Sequence, residues 1–106
     1  MTFQLGAALL DACVLATLSQ GDTYGYVLTQ NIRRAIEVSE STLYPVLRRL
    51  QKEGCLTTYD QPYQGRNRRY YAITDYGRAK YDYYLREWQK YKACVDSALK
   101  GGISHD

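Results

Sequence analysis

The segment 39–74 does most to limit the folds open to this chain. Placed at about 100° per residue, Leu43, Val46, Leu47 and Leu50 fall on one side of a helix. Ser41, Tyr44, Pro45, Arg48 and Lys52 fall on the other. One face can anchor in a core, while the other presents hydroxyls, an aromatic edge and cations at a pitch that suits a DNA major groove. Two strand-forming runs follow, residues 55–59 and 68–74, the second dense in Tyr70, Tyr71 and Ile73. Between them, residues 60–67 read as a long loop broken by Pro62 and Gly65. From Gln61 to Tyr71 every charge is positive: Arg66, Arg68 and Arg69.

What precedes this segment makes it the middle of a small helical domain. Residues 5–19 predict a helix that is apolar nearly all round, with Leu9, Leu10, Val14, Leu15 and Leu18 pointing in several directions. Such a helix must be buried on more than one side, and a chain of 106 residues is short of material to cover it. A second subunit is the simplest cover. A second helix is expected over residues 24–36, with Leu28 and Ile32 inward and Arg33 and Arg34 outward near its end. There the two arginines offset the helix dipole or meet a phosphate. A short connection around Val38 leads to the third helix, the spacing of a helix-turn-helix. Ser39 or Ser41 can cap that helix. Pro45 favours the later start, because proline is best tolerated in a first turn, and Gly54 suits the left-handed position after its end.

Thr74 can cap a last helix reaching about residue 100, where Gly101 ends it. Tyr81, Tyr84, Leu85, Trp88, Tyr91, Lys92, Val95 and Leu99 form a stripe with near-heptad spacing. The stripe can pack within the chain. Its length, and the over-apolar first helix, favour a dimer interface that includes Leu5, Leu9, Tyr81, Leu85, Trp88, Val95 and Leu99. The expected fold class is mainly α (α+β): a winged helix-turn-helix over residues 1–74, a dimerisation helix over 75–100 and a flexible tail over 101–106.

Composition excludes several classes. The single histidine, His105, sits in the tail, which removes the usual general base and most metal sites. No nucleotide-binding or metalloprotease motif is present. The expectation is a protein that is no enzyme and takes no cofactor. Three scattered cysteines, Cys13, Cys55 and Cys94, point to reduced thiols and a cytoplasmic setting. The apolar run of residues 5–18 is too short to cross a bilayer and contains Asp11.

Three motifs in order carry a family resemblance: Tyr24-Gly25-Tyr26; Tyr44-Pro45-Val-Leu-Arg48-Arg-Leu-Gln-Lys52-Glu-Gly54; and Gly65-Arg66-x-Arg68-Arg69-Tyr70-Tyr71-x-Ile-Thr74-x-x-Gly77. Together they resemble PadR-type transcriptional regulators over nearly the whole chain, and the single last helix is similar to the short subgroup. The resemblance implies a homodimeric winged-helix protein, usually a repressor of nearby genes. Some short members bind flat aromatic compounds at the dimer interface, where a tryptophan of the last helix stacks on the ligand. Trp88 stands at the matching place, with Asp11 and Leu15 facing it. Tyr84 and Lys92 add bulk and positive charge that depart from the family pattern.

The residues therefore divide into two sets. Ser41, Thr42, Tyr44, Arg48, Lys52, Arg66, Arg68 and Arg69 are candidate contacts to double-stranded DNA. Arg48 can read guanine or hold a phosphate. Ser41 and Thr42 can donate to phosphates or serve the helix cap. Strand alternation prevents Arg68 and Arg69 from pointing the same way, so Arg66 and one of them are expected at DNA. Asp11, Leu15, Tyr84, Trp88 and Lys92 are candidates for an aromatic ligand, with core or interface packing the competing role for Trp88. A competing function is a winged-helix module that binds protein instead of an operator.

Overall fold

A computed structural model of the chain describes residues 6–101. Leu5 and nearly all of the 101–106 tail therefore lie outside the described residues. The order is α1 (Ala7–Ser19), β1 (Thr23–Tyr24), α2 (Gly25–Ala35), α3 (Glu40–Lys52), β2 (Leu56–Tyr63), β3 (Arg66–Ile73) and α4 (Asp75–Leu99). The strands form one antiparallel sheet in the order β1-β3-β2. This is the mainly α, winged-helix architecture that the sequence predicts.

The apolar α1 is the hub, packed against α2, α3, α4 and β3. Val14, Leu15 and Leu18 have no exposed surface, and neither do Leu28 of α2 or Leu43 and Leu50 of α3. Most of the cover that α1 requires thus comes from its own chain. Leu9, Ala12 and Cys13 stay half-buried along the side shared with α4.

A small polar clasp fixes the helix-turn-helix. Arg33 Nε donates to the Val38 carbonyl at 3.1 Å, and its guanidinium lies 3.6 Å from Glu40. Gln30 also donates to Glu40, at 3.1 Å. Arg33 thus holds the connection to α3 in addition to lying near the end of α2. The N-cap of α3 is Ser39, whose Oγ accepts from the Thr42 amide at 3.2 Å. The earlier of the two starts is the real one, so Pro45 lies in the second turn. Its missing N–H leaves the Ser41 carbonyl without its usual partner, a modest loss because both residues are exposed.

The wing is longer than expected. Residues 60–63 and 66–67 are strand, with Asp60 opposite Arg69 and Tyr63 opposite Arg66. Only Gln64 and Gly65 turn, both at positive φ (51° and 78°), which is the two-residue hairpin geometry that matches strand twist. Pro62 does not break the strand because β2 is an edge of the sheet.

Where the wing returns, the chain closes on itself tightly. Gly54, at φ 85°, ends α3. Thr74 Oγ1 donates to the Gly54 carbonyl at 2.6 Å and accepts from the Gly77 amide at 3.0 Å, capping α4 as expected. A Cβ on Gly77 would lie 2.2 Å from the Cys55 carbonyl oxygen and 2.8 Å from Ile73. Replacing Gly77 by alanine gains about 1 kcal/mol of helix propensity. Forcing backbone apart here costs more, on the order of 3 kcal/mol. Gly77→Ala should therefore lower the urea unfolding midpoint, and a raised midpoint would refute the close approach.

Candidate nucleic-acid interface

The polar face of α3 is as the helical periodicity requires. Ser41, Thr42, Pro45, Arg48 and Lys52 are exposed, and Leu43, Val46, Leu47 and Leu50 are buried. The Ser41 and Thr42 hydroxyls both lie 3.0 Å from Ser39 Oγ, so in the free protein they are turned toward the cap. Tyr44 is half-buried, with its ring over the bare Cα of Gly25 beside Tyr71. Arg48 and Lys52 make no ion pair among the described residues.

Beside α3 lies a groove with a simple origin. β1 has only two residues and stops at Tyr24, so the β3 edge beyond Arg69 has no partner on that side. The start of α2, at Gly25 and Tyr26, forms the facing wall. The resulting hollow of about 640 Å³ is lined by Tyr24, Tyr26, Tyr44, Arg66, Arg69 and Tyr71, among others. Burial pushes the Tyr71 phenol up, and the nearby Arg69 and Arg48 guanidiniums oppose that shift. Cations from the recognition helix and from the wing thus converge on one tyrosine.

The three wing arginines are not equivalent. Arg68 is stacked between Tyr24 and Tyr63, its guanidinium carbon 4.2 and 3.6 Å from the ring centroids. It serves the outer face of the sheet, where Tyr70 also lies against Tyr24 and Tyr59. Arg69 sits on the other face, 3.6 Å from Asp60. The segment that looked free of acid therefore has one directly across the ladder. An exposed pair of this kind contributes about 0–1 kcal/mol and exchanges readily. Arg66 is exposed and makes no ion pair among the described residues. Strand alternation correctly separated Arg68 from Arg69, but the stacking of Arg68 had no visible signal while residues 60–67 were read as loop. Counting pairs outward from Gln64 and Gly65 places Tyr63 beside Arg66 and Arg68.

A second site lies between α1 and α4. Leu9, Ala12, Cys13, Ala16, Tyr81, Tyr84, Leu85 and Trp88 line a hollow of about 210 Å³. Trp88, Tyr91, Lys92, Val95 and Asp96 line another of about 370 Å³. Of the candidate ligand residues, Tyr84 and Trp88 line the first hollow, and Trp88 and Lys92 the second. Leu15 lines neither, because it faces the core with no exposed surface, and Ala12 and Ala16 take its place. Asp11 is not a lining residue either. It is 3% exposed, with Oδ1 bound by Arg49 of α3 and Oδ2 accepting from the Tyr84 hydroxyl at 3.0 Å. A buried carboxylate without partners costs several kcal/mol, and these contacts satisfy it.

The residues described include no cluster suited to a metal ion, and no helix among them is long and apolar enough to cross a membrane.

Comparison with known proteins agrees with this geometry. The model of the transcriptional regulator PadR-like family matches residues 14–83. A transcriptional regulator of Mycobacterium tuberculosis is 38% identical over 104 residues, covering 97% of this chain and 92% of its own. A solved structure from Streptococcus mutans superposes with a TM-score of 0.86 at 42% identity, over 100% of both chains. A PadR-like transcriptional regulator of Bacillus cereus does so with a TM-score of 0.78 at 32% identity, over 86% of this chain and 91% of its own.

The Asp11 contact sets an alkaline limit. Burial, then the Asp11 charge and the hydrogen bond to it, push the Tyr84 phenol well above its ordinary value of about 10. The folded-state pKa is raised, so this contribution is whole below about 10 and is lost as pH rises beyond it, where only the unfolded chain ionises. Tyr84→Phe should cost about 1–3 kcal/mol at neutral pH. It should also make the fall in stability above pH ~10 shallower than in the wild type. Urea midpoints measured stepwise across that range give the comparison, and equal slopes would contradict it.

Proposed function

We propose that this chain, which belongs to the PadR-like family of transcriptional regulators, acts as a homodimeric repressor that reads a pseudo-palindromic operator and is released by a planar aromatic ligand. The family consists of DNA-binding regulators of transcription, not enzymes.

The observation that carries the DNA-reading half is that two exposed cations, Arg48 on α3 and Arg66 at the wing tip, have no ion-pair partner among the described residues. With α3 in a major groove, Arg48 projects from the middle of the helix and can bond two acceptors of a guanine. Lys52, a turn further on, meets the backbone. Arg66 reaches a phosphate or the neighbouring minor groove. Arg69 adds a second wing contact by exchanging Asp60 for phosphate. Arg68 is committed to Tyr24 and Tyr63 and supports the wing. One head offers too few contacts for a specific site, so two heads on half-sites about one helical turn apart are required.

The dimer and ligand halves rest on α1 and α4. Leu85 and Leu99 are exposed on a helix of 25 residues, with Trp88 and Val95 half-buried beside them. Residues 75–100 serve in this reading as the dimerisation helix, whose Tyr81, Leu85, Trp88, Val95 and Leu99 meet the partner together with α1 residues such as Leu9. The 210 Å³ hollow is smaller than the roughly 300–1,000 Å³ of an ordinary ligand pocket. A second copy closing over it supplies the missing wall. Ala12, Cys13 and Ala16 leave room for a flat ring against Trp88.

Binding to a selected duplex should weaken steeply with salt. Arg66→Ala should lower affinity and reduce the log–log salt slope by about one unit. Arg48→Ala should cost about 1–3 kcal/mol of discrimination between wild-type and altered sites. Operator affinity unchanged in both variants would overturn this docking. Trp88 is the chain's one tryptophan, so its emission should shift on titration with planar aromatic compounds. Silence across a broad panel of them would remove the ligand half.

A further inference from the structure

The Asp11 cluster joins three helices. Asp11 of α1 holds Arg49 of α3 and Tyr84 of α4. Arg49 also donates to Glu53, one turn along α3, at 3.3 Å. Glu53 in turn lies 3.4 Å from Lys80, one turn before Tyr84 on α4. The contacts run Lys80–Glu53–Arg49–Asp11–Tyr84. They reach two different surfaces. Tyr84 lines the hollow that contains Trp88 and Leu85. Arg49 is the chain neighbour of Arg48, on the helix whose exposed face carries the candidate DNA contacts.

A solvated ion pair can rearrange freely, but this one cannot. The carboxylate is almost wholly excluded from water, so losing either partner leaves a buried charge short of a bond. Displacing Tyr84 therefore draws Asp11 or Arg49 with it. Densely packed helices respond by moving as bodies, not by stretching.

We propose that Arg49 is a positioning residue that, through Asp11 and Tyr84, couples the α1–α4 hollow to the pose of the recognition helix. The proposal rests on the reading of α3 as the DNA-contacting helix. It requires no knowledge of the ligand, because coupling between two sites is reciprocal. DNA bound at α3 must alter the surroundings of Trp88, although α4 gives no residue to the candidate DNA surface.

The test uses the full chain and a labelled duplex recovered by selection from a random library with the wild-type protein. Anisotropy of the duplex reports binding, and Trp88 emission at saturating duplex reports the hollow. The comparison thus does not depend on affinity. In the wild type, saturation should shift the emission. Tyr84→Phe removes one hydroxyl and leaves Asp11 paired with Arg49, so it should fold and bind DNA, and it should lose most of the shift. Arg49→Lys, which keeps a cation on Asp11, should retain part of it. A cluster that only stabilises the fold would lower the melting temperature of Tyr84→Phe and leave the DNA-induced shift intact, which would overturn the proposal. Bound duplex with no shift in the wild type would overturn it as well. If no duplex is recovered or bound, the reading of α3 falls, and the proposal with it.

Discussion

The structure depends on one constraint, that α1 has no polar face. A helix with apolar side chains on every side is stable only inside something. Complete burial of a leucine or valine is worth about 1.5–3 kcal/mol, and α1 supplies three such side chains, Val14, Leu15 and Leu18. The rest of the fold is the arrangement that covers them: α2 and α3 on one side, α4 on another, the returning strand β3 against the remainder. Covering α1 brings α3 into a fixed orientation with its own apolar face inward, so its polar face must point to solvent. The exposed polar face of α3 is in this sense a by-product of burying α1.

Asp11 is the one charge on that helix, and its position dictates its partners. Water cannot reach it, and its own helix offers no cation. The charge has to be met from neighbouring helices, so Arg49 and Tyr84 arrive from sequence distances of 38 and 73 residues. Contacts of that kind leave no periodic trace, so only the family resemblance sets Asp11 and Leu15 at a ligand surface, and packing puts both in the interior. On a helix that is apolar all round, periodicity cannot distinguish the side facing the core from the side facing a groove, and packing alone makes Leu15 core and Ala12 groove.

Where the rules are local, the sequence was legible. The inward residues of α3 follow from a 3.6-residue period, and the ends of α3 and α4 from Gly54, Thr74 and Gly101. The wing failed on competing local signals. Pro62 and Gly65 mark a loop in most contexts, yet Pro62 lies on an edge strand and Gly65 completes a two-residue turn with Gln64. Pro45 misled in the same way about the start of α3. Each proline is tolerated because the hydrogen bond it removes lies at an exposed edge or face, and Gly65 supplies a positive φ that the turn requires.

The wing shows why counting cations says little about a nucleic-acid surface. Net charge is only +3, and the hairpin's arginines look alike in composition. Register and neighbours separate them. Stacked between two rings, Arg68 gains about 0.5–2 kcal/mol that it would forfeit by leaving them, so phosphate competes poorly for it. Arg69 holds a carboxylate in an exposed pair worth at most about 1 kcal/mol, and a phosphate can displace that partner at little cost. Arg66 has no ion pair among the described residues to give up. The cost of freeing these side chains therefore rises from Arg66 through Arg69 to Arg68. The stack that holds Arg68 also braces the hairpin that carries Arg66.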